Sequence, residues 1–202
     1  MKSVSVAAFL TAVILVCGCT GRGNRMEITW KPVGIGGGGG IYCPSISPHD
    51  ENLIFVSCDM GGFYVSADGG KTWWMCDTSV MRGSTRCRPA FHPTDPNTLY
   101  MPYERYEQLR VSHDRGYHWE VLSDKVPWKR ERVNAINLDR TDPERMFVGT
   151  AVGLYRSLDG GKSFTRWEGL NGSVLWTHVD QTSPRNRRII LCGSTTGVFR
   201  SD

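Results

Sequence analysis

The fold is decided by the segment Ser66-Ala67-Asp68-Gly69-Gly70-Lys71-Thr72-Trp73, which returns twice along the chain. The two further copies are Ser112-His113-Asp114-Arg115-Gly116-Tyr117-His118-Trp119 and Ser157-Leu158-Asp159-Gly160-Gly161-Lys162-Ser163-Phe164. We call these three segments the repeat turns. Their serines are 46 and 45 positions apart, and Ser201, 44 positions further on, begins a fourth copy that reaches Asp202. A fixed period of this size predicts a repeat architecture with one propeller blade per repeat.

Each repeat turn keeps a serine, an aspartate, a glycine and an aromatic residue in fixed places. Glycine accepts the positive φ of a tight hairpin, and the aspartate carboxylate can accept hydrogen bonds from nearby backbone amides. The aromatic residue can pack beneath the turn. This composition indicates a structural turn rather than catalytic or metal-binding aspartates. The residues expected to serve it are Ser66, Asp68, Gly70, Trp73, Ser112, Asp114, Gly116, Trp119, Ser157, Asp159, Gly161, Phe164, Ser201 and Asp202.

Short apolar runs at even spacing precede every repeat turn, with turn-forming residues between them, and no amphipathic helix is evident after residue 20. This pattern predicts an all-β propeller of four-stranded blades, whose strands we call A to D, with the repeat turn between strands C and D. Residues 28–33 read as an unpaired D strand, because Thr29-Trp30 matches Thr72-Trp73. We therefore expect residues 27–202 to form a D strand, three full blades and a truncated last blade. This is an incomplete ring of about four blade equivalents, although sixteen strands could also close as four blades.

The pattern S-x-D-x-G-x-x-W resembles the Asp-box (BNR) repeat of sialidases, xyloglucanases, sortilin-type receptors and photosystem II assembly propellers. Three copies in register make the resemblance specific. It implies a β-propeller in which the boxes are structural.

The first residues have the character of an export signal. Residues 1–19 carry Lys2 and then a short apolar stretch, which is too short for a membrane span. Val16-Cys17-Gly18-Cys19 resembles a bacterial lipobox with Cys19 as the lipidated residue, and ordinary signal-peptidase cleavage is the alternative. Residues 20–26 read as a polar tether. We expect an exported protein, either lipid-anchored in the bacterial cell envelope or secreted, that meets the membrane only through the lipid.

Charge and composition exclude several classes of function. The net charge is +4, and the basic residues are spread rather than forming a stripe, so nucleic acid is not an expected partner. The glycine run Gly36–Gly40 lacks the GK[ST] of a phosphate loop. No cysteine spacing indicates a metal site, and no cofactor is expected. Export permits disulfides, but the five remaining cysteines read best as small buried apolar residues: Cys43, Cys58, Cys76, Cys87 and Cys192.

Strand direction alternates within a blade, so the A–B and C–D turns share one rim and the B–C and D–A connections share the other. Loops on a rigid β scaffold are the usual place for function. The B–C and D–A loops concentrate carboxylates, arginines and aromatic residues, a mixture that suits carbohydrate. The expected substrate-binding residues are Glu104, Arg105, Tyr106, Trp128, Trp176 and His178, and the alternative for Glu104 is a solvated surface charge.

A closer resemblance covers residues 28–65. The run Trp30 to Gly39, then Ser47-Pro48, then Asp59-Met60-Gly61-Gly62-Phe63-Tyr64, is similar to the opening of xyloglucanase-type two-propeller glycoside hydrolases. That resemblance implies that Asp59 is the general base of an inverting glucanase and that the general acid belongs to a second, C-terminal propeller. The alternative is that Asp59 caps a tight Gly-Gly turn.

Two classes of function remain. The first is an exported glycoside hydrolase, acting on β-glucan or xyloglucan-like polysaccharide, of which this chain is the N-terminal portion and is inactive alone. The second is a non-catalytic propeller that serves as a binding or assembly scaffold on the cell envelope. A sialidase is a weaker third, because the chain has no Phe-Arg-Ile-Pro-like segment near its N-terminus.

Overall fold

The structure is a computed structural model that describes residues 28–35, 38–103, 108–123, 126–128 and 131–202. Within these ranges it contains fifteen β-strands and no helix. The strands are β1 (Ile41–Ile46), β2 (Ile54–Cys58), β3 (Phe63–Ser66), β4 (Trp74–Met75), β5 (Ala90–Phe91), β6 (Leu99–Tyr103), β7 (Gln108–Ser112), β8 (Glu120–Ser123), β9 (Val133–Asp139), β10 (Asp142–Thr150), β11 (Gly153–Ser157), β12 (Thr165–Arg166), β13 (Val174–Val179), β14 (Ile190–Ser194) and β15 (Gly197–Arg200).

These strands form four antiparallel sheets in which neighbours in sequence are neighbours in space. The first three sheets hold β1–β4, β5–β8 and β9–β12, and the fourth holds β13–β15. Each sheet is one blade of a β-propeller, and each repeat turn joins the third and fourth strands of its blade. The predicted all-β propeller of four-stranded blades is therefore confirmed.

Glycine permits the tight connections within the blades. The β10–β11 hairpin closes where Thr150 pairs with Gly153, and Gly153 has a φ of 144°. A residue with a side chain rarely adopts this conformation, so glycine is required there.

Hydrophobic packing between successive blades builds the core. Phe55 and Phe63 of the first blade stack at 5.6 Å between ring centroids and pack with Leu99 and Met101 of the second. A second cluster joins the second and third blades, and a third joins the third and fourth. Among the described residues no core cluster joins the first and fourth blades.

Residues 28–33 form no strand, which corrects the expected N-terminal D strand. Ile28 and Trp30, whose side chains would share one face of a strand, are 75% and 92% exposed, and Pro32 lacks the amide that a sheet ladder needs.

None of the described cysteines is in a disulfide. In the described part of the chain no helix is long and apolar enough to cross a membrane.

Candidate functional site

The polar groups of the first repeat turn form hydrogen bonds with one another. The Ser66 hydroxyl accepts a hydrogen bond from the Gly70 amide at 2.9 Å and donates to Asp68 Oδ1 at 2.8 Å. Asp68 Oδ1 also accepts the amides of Lys71 and Thr72, and the Thr72 hydroxyl donates to Oδ2 at 2.6 Å. Both carboxylate oxygens are therefore occupied inside the turn.

The same bonds recur in the other two repeat turns. In the second, the Asp114 carboxylate accepts the His118 amide at 2.8 Å and contacts the imidazole of that residue. In the third, the amide and hydroxyl of Ser163 donate to the Asp159 carboxylate at 2.9 and 2.6 Å. Two of the aromatic residues close their turns with an indole hydrogen bond, Trp73 to the Gly70 carbonyl and Trp119 to the Gly116 carbonyl.

Hydrogen bonding also sets the protonation state of these aspartates. The Thr72 hydroxyl and amide lower the pKa of Asp68 to about 2, and the Ser163 hydroxyl and amide lower the pKa of Asp159 to about 2. A carboxylate so stabilised is a poor proton acceptor near neutral pH. This geometry supports the structural interpretation of the repeat turns. Among the described residues no group of three or more acidic, histidine or cysteine side chains could hold a metal ion.

Each repeat turn contacts its own blade near the connection between the first two strands, at a turn residue in the first two blades and at the start of β10 in the third. The amide of Gly69 donates to the Asn52 carbonyl at 3.0 Å, that of Arg115 to Asn97 at 2.9 Å, and that of Gly160 to Glu144 at 2.9 Å. These turns share one rim of the propeller. The B–C turns occupy the opposite rim, as strand alternation predicts.

Asp59 lies on that opposite rim, in the turn between β2 and β3. Its Oδ1 accepts the Gly40 amide at 2.9 Å, and its own amide donates to the Gly40 carbonyl at 3.3 Å. Gly39 has a φ of 130°, and a Cβ there would lie 2.6 Å from Asp59 Oδ1. Glycine is therefore required at position 39 for the chain to pass this close to the aspartate. Arg82 adds a hydrogen bond to the Asp59 carbonyl at 3.3 Å.

The Asp59 carboxylate differs from those of the repeat turns. Asp59 is exposed, and the described residues provide no hydrogen-bond partner for its Oδ2. One oxygen fixes the orientation of the group and the other faces solvent. This arrangement can hold a water molecule for proton abstraction, and it also serves to anchor Gly40.

The other predicted binding residues have different outcomes. Glu104, Arg105 and Tyr106 lie outside the described residues, as does Cys19. Trp128 is 1% exposed and packs edge-on against Tyr155 and Phe164 at 5.1 and 4.9 Å between ring centroids. Its assignment to a sugar-binding rim is wrong, because the indole completes the core between the second and third blades.

Trp176 and His178 also lie elsewhere than expected. They were assigned to a rim loop, but β13 begins at Val174 and includes both. Their side chains project from the sheet face instead of extending from the rim. The Trp176 indole lies over Gly193 on β14, where a Cβ would come within 2.0 Å of the ring nitrogen.

Sequence reasoning missed a cavity of about 790 Å³ beside the first strands of the blades. Its wall comes from the first strand of three blades, β5, β9 and β13, from residues that flank them, and from Pro48 and His49, which follow β1. Arg86, Arg88 and Arg140 all line it. Each is within a few positions of the end of an A strand, a recurrence that could have indicated the cavity.

No family model matches the chain. Over 162 residues it is 29% identical to the xyloglucanase Xgh74A of Acetivibrio thermocellus, an alignment that covers 69% of this chain and 19% of that protein. It is 29% identical over 192 residues to the oligoxyloglucan-reducing end-specific xyloglucanase of Emericella nidulans, covering 81% of this chain and 22% of that enzyme. The chain thus spans about a fifth of the length of these curated relatives.

Solved structures show the same likeness. An ancestral GH74 enzyme matches with a TM-score of 0.65 and 19% identity, covering 87% of this chain and 24% of that one. The GH74 xyloglucanase of Xanthomonas campestris matches at 0.56 and 19%, covering 76% and 27%. YCF48 bound to D1 peptide matches at 0.54 and 17%, covering 78% and 47%. At these identities the structural likeness is one of fold. Together with the sequence relatives, it confirms the predicted resemblance to xyloglucanase propellers.

Proposed function

We propose that this chain is the N-terminal part of an exported glycoside hydrolase acting on xyloglucan-like β-glucan, with Asp59 as its general base. The observation that carries the proposal is the state of the Asp59 carboxylate. One oxygen is fixed by the Gly40 amide and the other has no described partner, on the rim opposite the repeat turns. The similarity to xyloglucanases supports the class of substrate.

The chemistry requires a second carboxyl group. In an inverting hydrolase the base takes a proton from water while the water oxygen attacks the anomeric carbon. In the same step a carboxylic acid protonates the glycosidic oxygen, which leaves as its bond to the anomeric carbon breaks. The two carboxyl groups stand roughly 6.5–9.5 Å apart so that water fits beside the sugar. The acid is expected from a second propeller in the complete gene product, and the 202-residue chain alone is expected to hydrolyse nothing.

The test is the Asp59→Asn variant of the complete gene product, assayed on xyloglucan and on mixed-linkage glucan. The amide keeps the shape of the side chain and removes its basicity, so turnover should fall by about 10²–10⁴-fold. Binding of the glucan should survive. Asp77→Asn is the matched control, because Asp77 is an exposed aspartate in the connection between β4 and β5 on the same rim. Near wild-type turnover by Asp59→Asn would reject Asp59 as the base.

The second candidate is a binding or assembly scaffold. The fold-level likeness to YCF48 in a peptide-bound form favours it. The two proposals differ in what the complete gene is expected to encode. A second propeller that presents an acidic residue toward Asp59 supports the hydrolase. A wild-type product that is inactive on every glucan tested supports the scaffold.

Export through the segment 1–19 and lipidation at Cys19 are parts of the same proposal. A Cys19→Ser variant expressed in a bacterial host should lose metabolic labelling by fatty acid and leave the membrane fraction. Labelling that persists in the variant would contradict the lipid anchor, and an unlabelled wild type that is cleaved and secreted would favour ordinary signal-peptidase processing.

A further inference from the structure

The cavity of about 790 Å³ is lined by several positively charged side chains and, among its described residues, by no negatively charged one. Arg86, Arg88 and Arg140 line it, and none of the described lining residues is an aspartate or a glutamate. All three arginines are exposed. No described carboxylate forms an ion pair with any of them. Three uncompensated guanidinium groups around one concave surface create a positive potential that attracts anions.

The arginines are distributed along the depth of the cavity. Arg86 and Arg88 precede β5, on the side of the rim that carries Asp59, and Arg140 follows β9 on the side of the repeat turns. From Asn134 to Arg140 the strand extends about 20 Å, at roughly 3.3 Å per residue. The cavity volume of about 790 Å³ is within the range of small-molecule sites. The cavity therefore fits an extended ligand with more than one negative charge.

An aromatic surface lines the same cavity. Trp176 lines the cavity and is 44% exposed, and its indole is supported by the bare backbone of Gly193. A flat, apolar surface in the same cavity as three guanidinium groups matches a ring that carries its carboxylate directly. A flexible acidic chain would gain nothing from the flat surface. Guanidinium groups also bind carboxylates in a fixed two-pronged geometry.

We propose that this cavity is a binding site for an acidic oligosaccharide, built of uronic acid units whose carboxylates pair with Arg86, Arg88 and Arg140. The site is separate from Asp59 and needs no hydrolytic activity. It binds its ligand whether or not the proposed hydrolase function holds. Because the attraction acts between exposed charges, affinity falls as salt is added.

Calorimetric titration of the purified chain with trigalacturonate at low ionic strength tests the proposal, with cellotriose as the neutral ligand of equal length. Trigalacturonate should bind at least about tenfold more tightly than cellotriose. Arg86→Gln/Arg88→Gln should weaken its binding by at least about tenfold, since hydrogen bonds to charged groups are the strong ones. Lys71→Gln/Lys162→Gln is the matched control, because it removes the same charge from exposed residues of the repeat turns.

Three outcomes would overturn the proposal. One is the absence of trigalacturonate binding at low salt. Another is an equal loss of affinity in the arginine and lysine double variants, which would mean non-specific attraction. The third is binding of hexaglutamate as tight as that of trigalacturonate, which would assign the cavity to an acidic peptide.

A second measurement covers the case in which the arginine variant fails to fold. Phenylglyoxal modifies exposed arginines, and mass spectrometry locates the modified residues. Trigalacturonate should protect Arg86, Arg88 and Arg140 and leave exposed Arg187 reactive. Modification of the three cavity arginines at an unchanged rate would overturn the proposal.

Discussion

Arg188 of the fourth blade donates two hydrogen bonds to the carboxylate of Asp139 in the third, from Nε to Oδ2 at 2.7 Å and from Nη2 to Oδ1 at 3.2 Å. Asp139 ends β9, and Arg188 lies just before β14. Both side chains are buried, at 4% and 0% exposure. Arg145 adds a contact to the same carboxylate at 3.1 Å. A two-pronged, charge-assisted pair thus ties the A–B connections of adjacent blades together, beside the hydrophobic cluster that joins them.

We expect Asp139→Asn to reduce the free energy of unfolding by about 3–5 kcal/mol, because it leaves the buried Arg188 guanidinium without its counter-charge. Urea unfolding followed by circular dichroism measures the change. Asp142→Asn is the control, because Asp142 pairs with Arg145 at 3.1 Å while 38% exposed. A partly exposed pair of this kind contributes no more than about 1 kcal/mol. Equal effects of the two substitutions would show that burial of the Asp139 pair adds nothing.

Asp114 tests the structural interpretation of the repeat turns. Asp114→Ala should destabilise its blade by about 1–2 kcal/mol, as other lost turn caps do. The His118 amide would lose its acceptor. Asp114→Asn retains one acceptor oxygen and should cost less. Urea denaturation gives the stability, and titration with xyloglucan oligosaccharide gives the binding. Full stability combined with lost binding would mean that the aspartate belongs to a ligand site.

The repeat turns also predict a dependence of stability on acid. The pKa values of Asp68 and Asp159 are about 2, below the ordinary value of 3.8. Since the folded state favours the charged form, the stabilisation is full above the unfolded pKa and is lost as the pH falls toward 2. A carbon-13 NMR titration of the side-chain carboxyl groups should give midpoints near 2.

Ser163→Ala provides the control for that titration. The Ser163 hydroxyl is the largest cause of the lowered pKa of Asp159, so its removal should raise the midpoint of Asp159. Asp68 lies in a different blade and should keep its midpoint in the same sample. Wild-type midpoints near 3.8 for both aspartates would contradict the hydrogen-bond geometry of the turns.

Sequence periodicity was sufficient to predict the strands of the blades but not the segments outside them. The apolar runs at Leu99–Met101 and Met146–Val148 fall within β6 and β10, because middle strands of a blade are covered on both faces and must be apolar. Residues 28–33 show the limit of pattern matching. Thr29-Trp30 copies Thr72-Trp73, which ends a repeat turn just before β4, and a strand forms only where a partner supplies hydrogen bonds.

The candidate site was predictable only where its residues are close in sequence. The glycine run and Asp59 meet because β1 and β2 pair, and a resemblance over residues 28–65 contained both. The arginine-lined cavity draws on blades that are more than 40 residues apart. In the sequence the same arginines are diluted among many other charged residues, and only their recurrence near the ends of A strands marks them.

Trp128 and Trp176 were both expected to bind sugar, and the structure separates them. Trp128 is 1% exposed between Tyr155 and Phe164, whereas Trp176 is 44% exposed beside the cavity. We expect Trp128→Ala to cost about 3–5 kcal/mol in the free energy of unfolding, because it leaves a large void in the core. Trp176→Ala should cost far less.

For ligand affinity we expect the opposite order, with the larger loss in the Trp176 variant. At a temperature where both variants remain folded, Trp176→Ala should lower the affinity for trigalacturonate, because the flat surface of the cavity is removed. Trp128→Ala should retain wild-type affinity, because the indole is buried in the core against Tyr155 and Phe164. Urea unfolding and calorimetric titration of the same preparations give both quantities. A stable Trp128→Ala variant with weakened binding would restore Trp128 to the ligand site and contradict its assignment to the core.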